Sequence, residues 1–205
     1  MNDVVEFVEH FLAQTSTSLQ SLFGISYRKR QSCSCTPSLE RLEDLNYRTI
    51  QYVNPYHFKD RNQNDDTLGE KFSNWFIENF ENSKKRKCHA CNSIAIKHLE
   101  VVDLPQFLIF CDQSNYVRRA KNFKFPPRFA LGDTTYELRA TIRSTHETGI
   151  HFYANAVIKT TTPPFVSKID NMREEVEVLI HPYATHYDYL CEENRYNILL
   201  FYAKL

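Results

Sequence analysis

The first periodic stretch covers residues 4–23, where Val4, Val8, Phe11, Leu12, Leu19, Leu22 and Phe23 fall mostly at helical spacing and Asn2 or Asp3 can cap the start. The pattern predicts a helix that breaks near residues 15–18 and ends at Gly24, followed by the basic, polar YRKRQ at the start of a protruding element. A second helix is better defined. Leu68, Phe72, Trp75, Phe76 and Phe80 sit at i, i+4, i+7, i+8 and i+12, behind a Thr67-x-x-Glu70 capping box. Between them, residues 47–53 have the β-branched and aromatic content of a strand, and residues 54–66 read as a polar loop.

Beyond Cys91 the period changes to two. Strands are predicted at 94–102, 106–112, 152–158 and 198–202, and Tyr136, Leu138, Ala140 and Ile142 alternate strictly. Turn residues separate them at Pro105, Pro126-Pro127, Gly132-Asp133, Gly149 and Pro163-Pro164. No internal repeat is present. The predicted plan is α+β, a mainly antiparallel sheet with one projecting cysteine-bearing module.

Charge and composition narrow the classes. Its 25 Lys and Arg balance 25 Asp and Glu over 205 residues, which suits one globular domain and argues against a dedicated nucleic-acid or membrane-surface protein. No apolar stretch approaches the roughly 20 residues of a bilayer span, so no membrane partner is expected. Asp3, Glu6 and Glu9 occupy the region where a secretory signal needs a basic start and an apolar run. An intracellular setting, cytoplasm or nucleus, is expected.

Six cysteines occur as Cys33-x-Cys35, Cys88-x-x-Cys91 and the singletons Cys111 and Cys191. Two close pairs can place four thiolates about 2.3 Å from one ion, the geometry of a tetrahedral structural zinc. The first pair is C-x-C rather than C-x-x-C, and 52 residues separate the pairs, so four free thiols in a reduced protein are the alternative. His89 inside the second pair could replace a ligand. Lys84-Lys85-Arg86-Lys87, just before that pair, reads as a solvated loop, and less well as a phosphate-contacting patch. A zinc-ribbon nucleic-acid binder is the weakest of the functional readings, because the net charge is zero and MREEVE at 172–177 is acidic.

The C-terminal half resembles a known family. LPQFLIF from Leu104, NFKFPPRFAL, YELRATIRSTHETGIHFYANAVI, VSKIDN and YNILLFYAKL occur in the order and at about the spacings of the ubiquitin-specific protease family of deubiquitinases. That resemblance implies a cysteine-proteinase palm at 104–205, zinc-ribbon fingers at 25–103 carrying Cys33, Cys35, Cys88 and Cys91, and a residual, incomplete helical thumb at 1–24. It further implies that His151 in GIHF is the general base. Asp170 in KIDN, or the adjacent Asn171, would orient the imidazole. A cysteine protease needs this pairing, because the imidazole takes the thiol proton and a third group fixes its tautomer.

Departures from the family pattern are as informative. The family's nucleophile sits in a G-x-x-N-x-G-N-T-C box, and this chain has no such box and no cysteine before Cys33. FCDQS, Arg143 and Phe165 replace other usual family residues. The expectation is therefore a domain inactive as this chain, serving as a scaffold for ubiquitin, a ubiquitin-like protein or another protein. The alternative is an active cysteine protease whose nucleophile comes from an upstream segment or a second chain.

Overall fold

The computed structural model describes residues 3–33, 35, 46–53, 65–81, 84–88, 91–112, 125–144, 151–159, 165–170, 177–179, 190 and 197–205. Helix α1 spans Asp3–Gln14 and α2 spans Thr17–Phe23. The break falls in the predicted place. Ser16 is extended (φ −63°, ψ 153°), its hydroxyl accepts from the Leu19 N–H at 3.4 Å, and the Thr15 hydroxyl donates to the Leu12 carbonyl at 2.7 Å.

A four-stranded antiparallel sheet follows, in the order β2-β1-β5-β4, from β1 (Ile25–Ser32), β2 (Asn46–Arg48), β4 (Lys84–Lys87) and β5 (Ile94–Asp103). The Lys-Lys-Arg-Lys run is thus a strand and not the loop its polarity predicts, because β5 offers it an edge to pair with. The single strand expected at 47–53 is two. β2 pairs with β1, whereas β3 (Ile50–Val53) crosses to the larger sheet and runs parallel to β6 (Phe107–Asp112).

The larger sheet has eight strands, ordered β11-β10-β9-β8-β12-β6-β3 with β7 also on β8. Its remaining members are β7 (Arg128–Leu131), β8 (Thr134–Ser144), β9 (Phe152–Ile158), β10 (Phe165–Ile169), β11 (Glu177–Leu179) and β12 (Asn197–Lys204). Gly132, at φ +57°, makes the tight turn between β7 and β8. The architecture is α+β and mainly antiparallel. No helix among the described residues is long and apolar enough to cross a membrane.

Helices cover both faces of this sheet, as the period of two demands. Leu108 and Phe110 of β6 point into a core with Phe72, Phe76 and Phe80 of α3 (Asp65–Glu81), and Ile109 and Cys111 point into a second core with Leu12 of α1. Helix α3 begins at Asp65, two residues before the Thr67 expected to cap it. Phe72 is fully buried among Phe129, Phe110, Phe125 and Tyr202, at ring-centroid distances of 4.9, 5.1, 6.1 and 6.5 Å. Truncating such a ring costs about 3–5 kcal/mol.

Strand β8 does not alternate throughout. Its register against β12 shifts between Phe201 and Tyr202, so Arg139 is an extra residue, Tyr136 and Leu138 enter the first core, and Ile142 joins Ile198 in the second. Beside the bulge, Glu137 is wholly buried, and its carboxylate meets Arg128 at 2.6 Å, Arg139 at 2.8 Å and Lys159 at 2.6 Å.

Candidate functional site

His151 and Asp170 stand at one rim of the large sheet, immediately before β9 and immediately after β10. The antiparallel register pairs Ala154 with Ile169, and extending it sets Asp170 opposite Tyr153, one diagonal step from His151. The contact is made. His151 Nε2 lies 2.7 Å from Asp170 Oδ1, with side chains 22% and 10% exposed. A carboxylate only accepts, so Nε2 carries the hydrogen and Nδ1 is the basic nitrogen of the neutral ring. An imidazole held this way can take a proton from a thiol or a water presented to Nδ1. Asn171, the other orienting residue predicted, lies outside the described residues, as do Cys191 and residues 145–150.

Cys111 is not placed to serve this imidazole. It lies on β6, which β8 and β12 separate from β9, about 14 Å at the usual strand spacing. Its thiol is buried in the second core, and that burial, with lesser contributions from the charges of Asp112 and Glu9, pushes its pKa up to about 12.

The other four described cysteines converge at the tip of the small sheet. Cys33 and Cys35 follow β1, and Cys88 follows β4. Cys91 is brought round by a turn in which the Asn92 N–H donates to the Cys88 carbonyl and the Cys88 N–H to the Ser93 carbonyl. Asn92 adopts φ +58°, a left-handed conformation that Asn tolerates well. The sulfurs lie 3.2 Å apart for Cys33 and Cys35, 3.4 Å for Cys33 and Cys91, and 3.8 Å for Cys35 and Cys88, and all four fall within 4.8 Å of one another. Tetrahedral thiolate ligands 2.3 Å from an ion stand about 3.8 Å apart, so a metal fits this cluster. None of the five described cysteines is in a disulfide.

Ser93 is a partner that the spacing did not reveal. Its hydroxyl lies 2.7 Å from Cys91 Sγ and 3.1 Å from Cys33 Sγ. That contact is the largest cause lowering both thiols, which takes Cys33 from 9.0 to about 6, helped by the Cys35 backbone and side chain. Low thiol pKa values favour the ligating, deprotonated form. His89 lies outside the described residues.

No family model and no curated protein matches the sequence. Solved structures do. The yeast SAGA DUB module with an Sgf73 mutant contains a chain that matches 100% of this one over 50% of its own length, at a TM-score of 0.60 and 16% identity. The SAGA Ubp8/Sgf11/Sus1/Sgf73 DUB module bound to ubiquitin aldehyde matches 100% of this chain over 49% of that one, at a TM-score of 0.58 and 15% identity. The Saccharomyces cerevisiae PAN2 pseudoubiquitin-hydrolase matches 98% of this chain over 65% of that one, at a TM-score of 0.58 and 13% identity. This chain therefore spans about half the length of the SAGA module chains it matches. At these identities the likeness is one of fold. The chain adopts the ubiquitin-specific-protease-like deubiquitinase fold.

Proposed function

We propose that this chain is a ubiquitin-specific-protease-like module that binds a ubiquitin or ubiquitin-like body weakly on its large sheet and, as this chain, does not cleave it. The observation that carries the reading is the His151–Asp170 pair at 2.7 Å in a chain whose described thiols all lie elsewhere. The neighbours fit such a use. One is a DUB module bound to ubiquitin aldehyde, and another is named a pseudoubiquitin-hydrolase. On this reading residues 1–24 stand as a thumb remnant, 25–103 as fingers and 104–205 as palm, with β3 and α3 from the middle segment packed onto the palm.

Zinc is the metal assigned to Cys33, Cys35, Cys88 and Cys91, because four soft sulfur donors close a tetrahedral shell without leaving a catalytic position. When bound it supplies the charge that offsets the thiolates and ties the end of β1 to the turn after β4. Reduced thiols of this kind support the reading of an intracellular protein, in the cytoplasm or the nucleus.

The test is hydrolysis of ubiquitin carrying a C-terminal fluorophore. The substrate is expected to stay intact over hours with micromolar protein, and turnover abolished by His151→Ala would overturn the inactivity. A second reading has one observation in its favour, since the imidazole is already oriented with Nδ1 as its basic atom. In that reading an upstream segment or a second chain supplies the cysteine, and mixing in a polypeptide with the G-N-T-C type of box would restore turnover.

A further inference from the structure

The two cysteine pairs reach the tip of the small sheet on separate strands, Cys33 and Cys35 beyond the end of β1 and Cys88 beyond the end of β4. Strand β5 lies between those two strands, so its first residues stand between the pairs. On the β4 side Lys87 pairs with Ile94, and extending that register sets Cys88 opposite Ser93. The Cys88 N–H indeed donates to the Ser93 carbonyl, at 2.8 Å. On the β1 side Ser32 pairs with Ile96, which sets Cys33 opposite Ala95 and one diagonal step from Ser93. The register thus carries Ser93 into the gap between the two pairs.

Its hydroxyl reaches both of them. The oxygen lies 2.7 Å from Cys91 Sγ and 3.1 Å from Cys33 Sγ, and those two sulfurs are themselves 3.4 Å apart. A ligating thiolate has no proton to give, so toward the deprotonated cluster the serine is the donor. It has one hydrogen, which goes chiefly to the nearer Cys91, with Cys33 as the secondary acceptor. Two negative sulfurs this close repel each other, and a donor between them withdraws charge from both. Cys33 follows one strand and Cys91 sits in the turn after another, so the same contact links the two halves of the cluster. The main chain does not need it. The Asn92 turn and the Cys88–Ser93 bond use backbone atoms only, and alanine in this place would remove nothing but the hydroxyl.

We propose that Ser93 is a positioning residue of the metal site: its hydroxyl hydrogen-bonds the Cys91 and Cys33 sulfurs, holds them toward one another, and sets how tightly the ion is kept. The proposal rests on the metal reading of the four cysteines given above, and it is independent of ubiquitin and of the His151–Asp170 pair.

The test uses the full chain with zinc alone, titrated against a chromophoric chelator. Ser93→Ala is expected to raise the zinc Kd about tenfold, the low end of what loss of an outer donor to a metal ligand costs. Ser93→Thr, which keeps the hydroxyl, should stay close to the parent. Cobalt supplies a readout that a purely structural role would not move. A hydrogen bond lowers the energy of the sulfur lone pairs, so the sulfur-to-cobalt charge-transfer band should shift to longer wavelength in Ser93→Ala and hold its place in Ser93→Thr. Should the alanine chain fold poorly, Ser93→Val replaces it, since threonine and valine share a shape and differ in the hydroxyl. Zinc held as tightly without the hydroxyl would overturn the proposal while leaving the metal site intact. Weaker zinc with an unmoved cobalt band would also overturn it, and would make Ser93 a turn residue only. A parent chain that takes up neither metal would remove the metal reading, and the role of Ser93 with it.

Discussion

Replacing Gly69 by Ala pits two effects of opposite sign against each other. Within α3 the substitution gains about 1 kcal/mol of helix propensity. An added Cβ, however, would lie 2.6 Å from the Arg128 carbonyl oxygen, 3.6 Å from its carbon and 3.7 Å from the Phe129 Cα, all of them backbone atoms of β7. Carbon settles about 3.3–3.6 Å from a carbonyl oxygen, so helix and strand must separate by roughly 0.7 Å or more. Phe72, one turn further along, packs its ring at a tilt against Phe129 with centroids 4.9 Å apart, so the movement loosens the centre of the first core. Overpacking of this kind costs about 1–3 kcal/mol, and the net result is a loss of about 1 kcal/mol, or about 3 °C in Tm for a chain of this size. Asn74→Ala, at an exposed position of the same helix, should instead gain a few tenths of a kcal/mol, and both variants can be followed by thermal circular dichroism. A Gly69→Ala chain that melts higher than the parent would mean that α3 does not press on β7.

Glu137→Gln should lower the urea midpoint by an amount equivalent to about 2 kcal/mol, less than a fully buried pair loses because the three cations keep 25–50% of their side chains in water. An unchanged midpoint would show that the cluster is neutral to stability. Chelation of the purified chain, or Cys88→Ser, should remove one zinc equivalent and melt the small sheet. Zinc absent from the start, with an unaltered melting profile, would refute the assignment. The buried Cys111 thiol keeps its proton in the folded chain up to about pH 12 and releases it near 9.0 when unfolded. The folded state therefore binds the extra proton, and stability is full below pH 9 and falls as pH rises. Wild type should lose about 1 kcal/mol more than Cys111→Ala between pH 8 and pH 10, and parallel losses would show that this thiol titrates normally.

Local chemistry made some of this legible. Five apolar residues at helical spacing announced α3, and the polar Thr15 and Ser16 announced the break after α1, since both facts live on one element. The cysteine pairs were legible as candidates for convergence, and the fold brings their sulfurs together. His151 and Asp170 were named through the resemblance, and their contact is set by the β9–β10 register. What the sequence hid depends on partners distant along the chain. Thr49 carries no local mark that the chain changes sheets between Arg48 and Ile50. The Lys84–Lys87 strand exists because β5 supplies the pairing, and Glu137 reads as an ordinary outward polar residue until the bulge and three cations enclose it. Ser93 beside the thiols had no spacing to give it away.

Ubiquitin binding by the large sheet is tested most directly by a titration of isotope-labelled ubiquitin with the full chain, watched by NMR so that millimolar binding is visible. Weak, saturable shifts on ubiquitin's hydrophobic sheet face, unaccompanied by any cleavage of the C-terminal fluorogenic substrate, are the predicted result. An unperturbed spectrum at millimolar protein would contradict it and take ubiquitin off the large sheet.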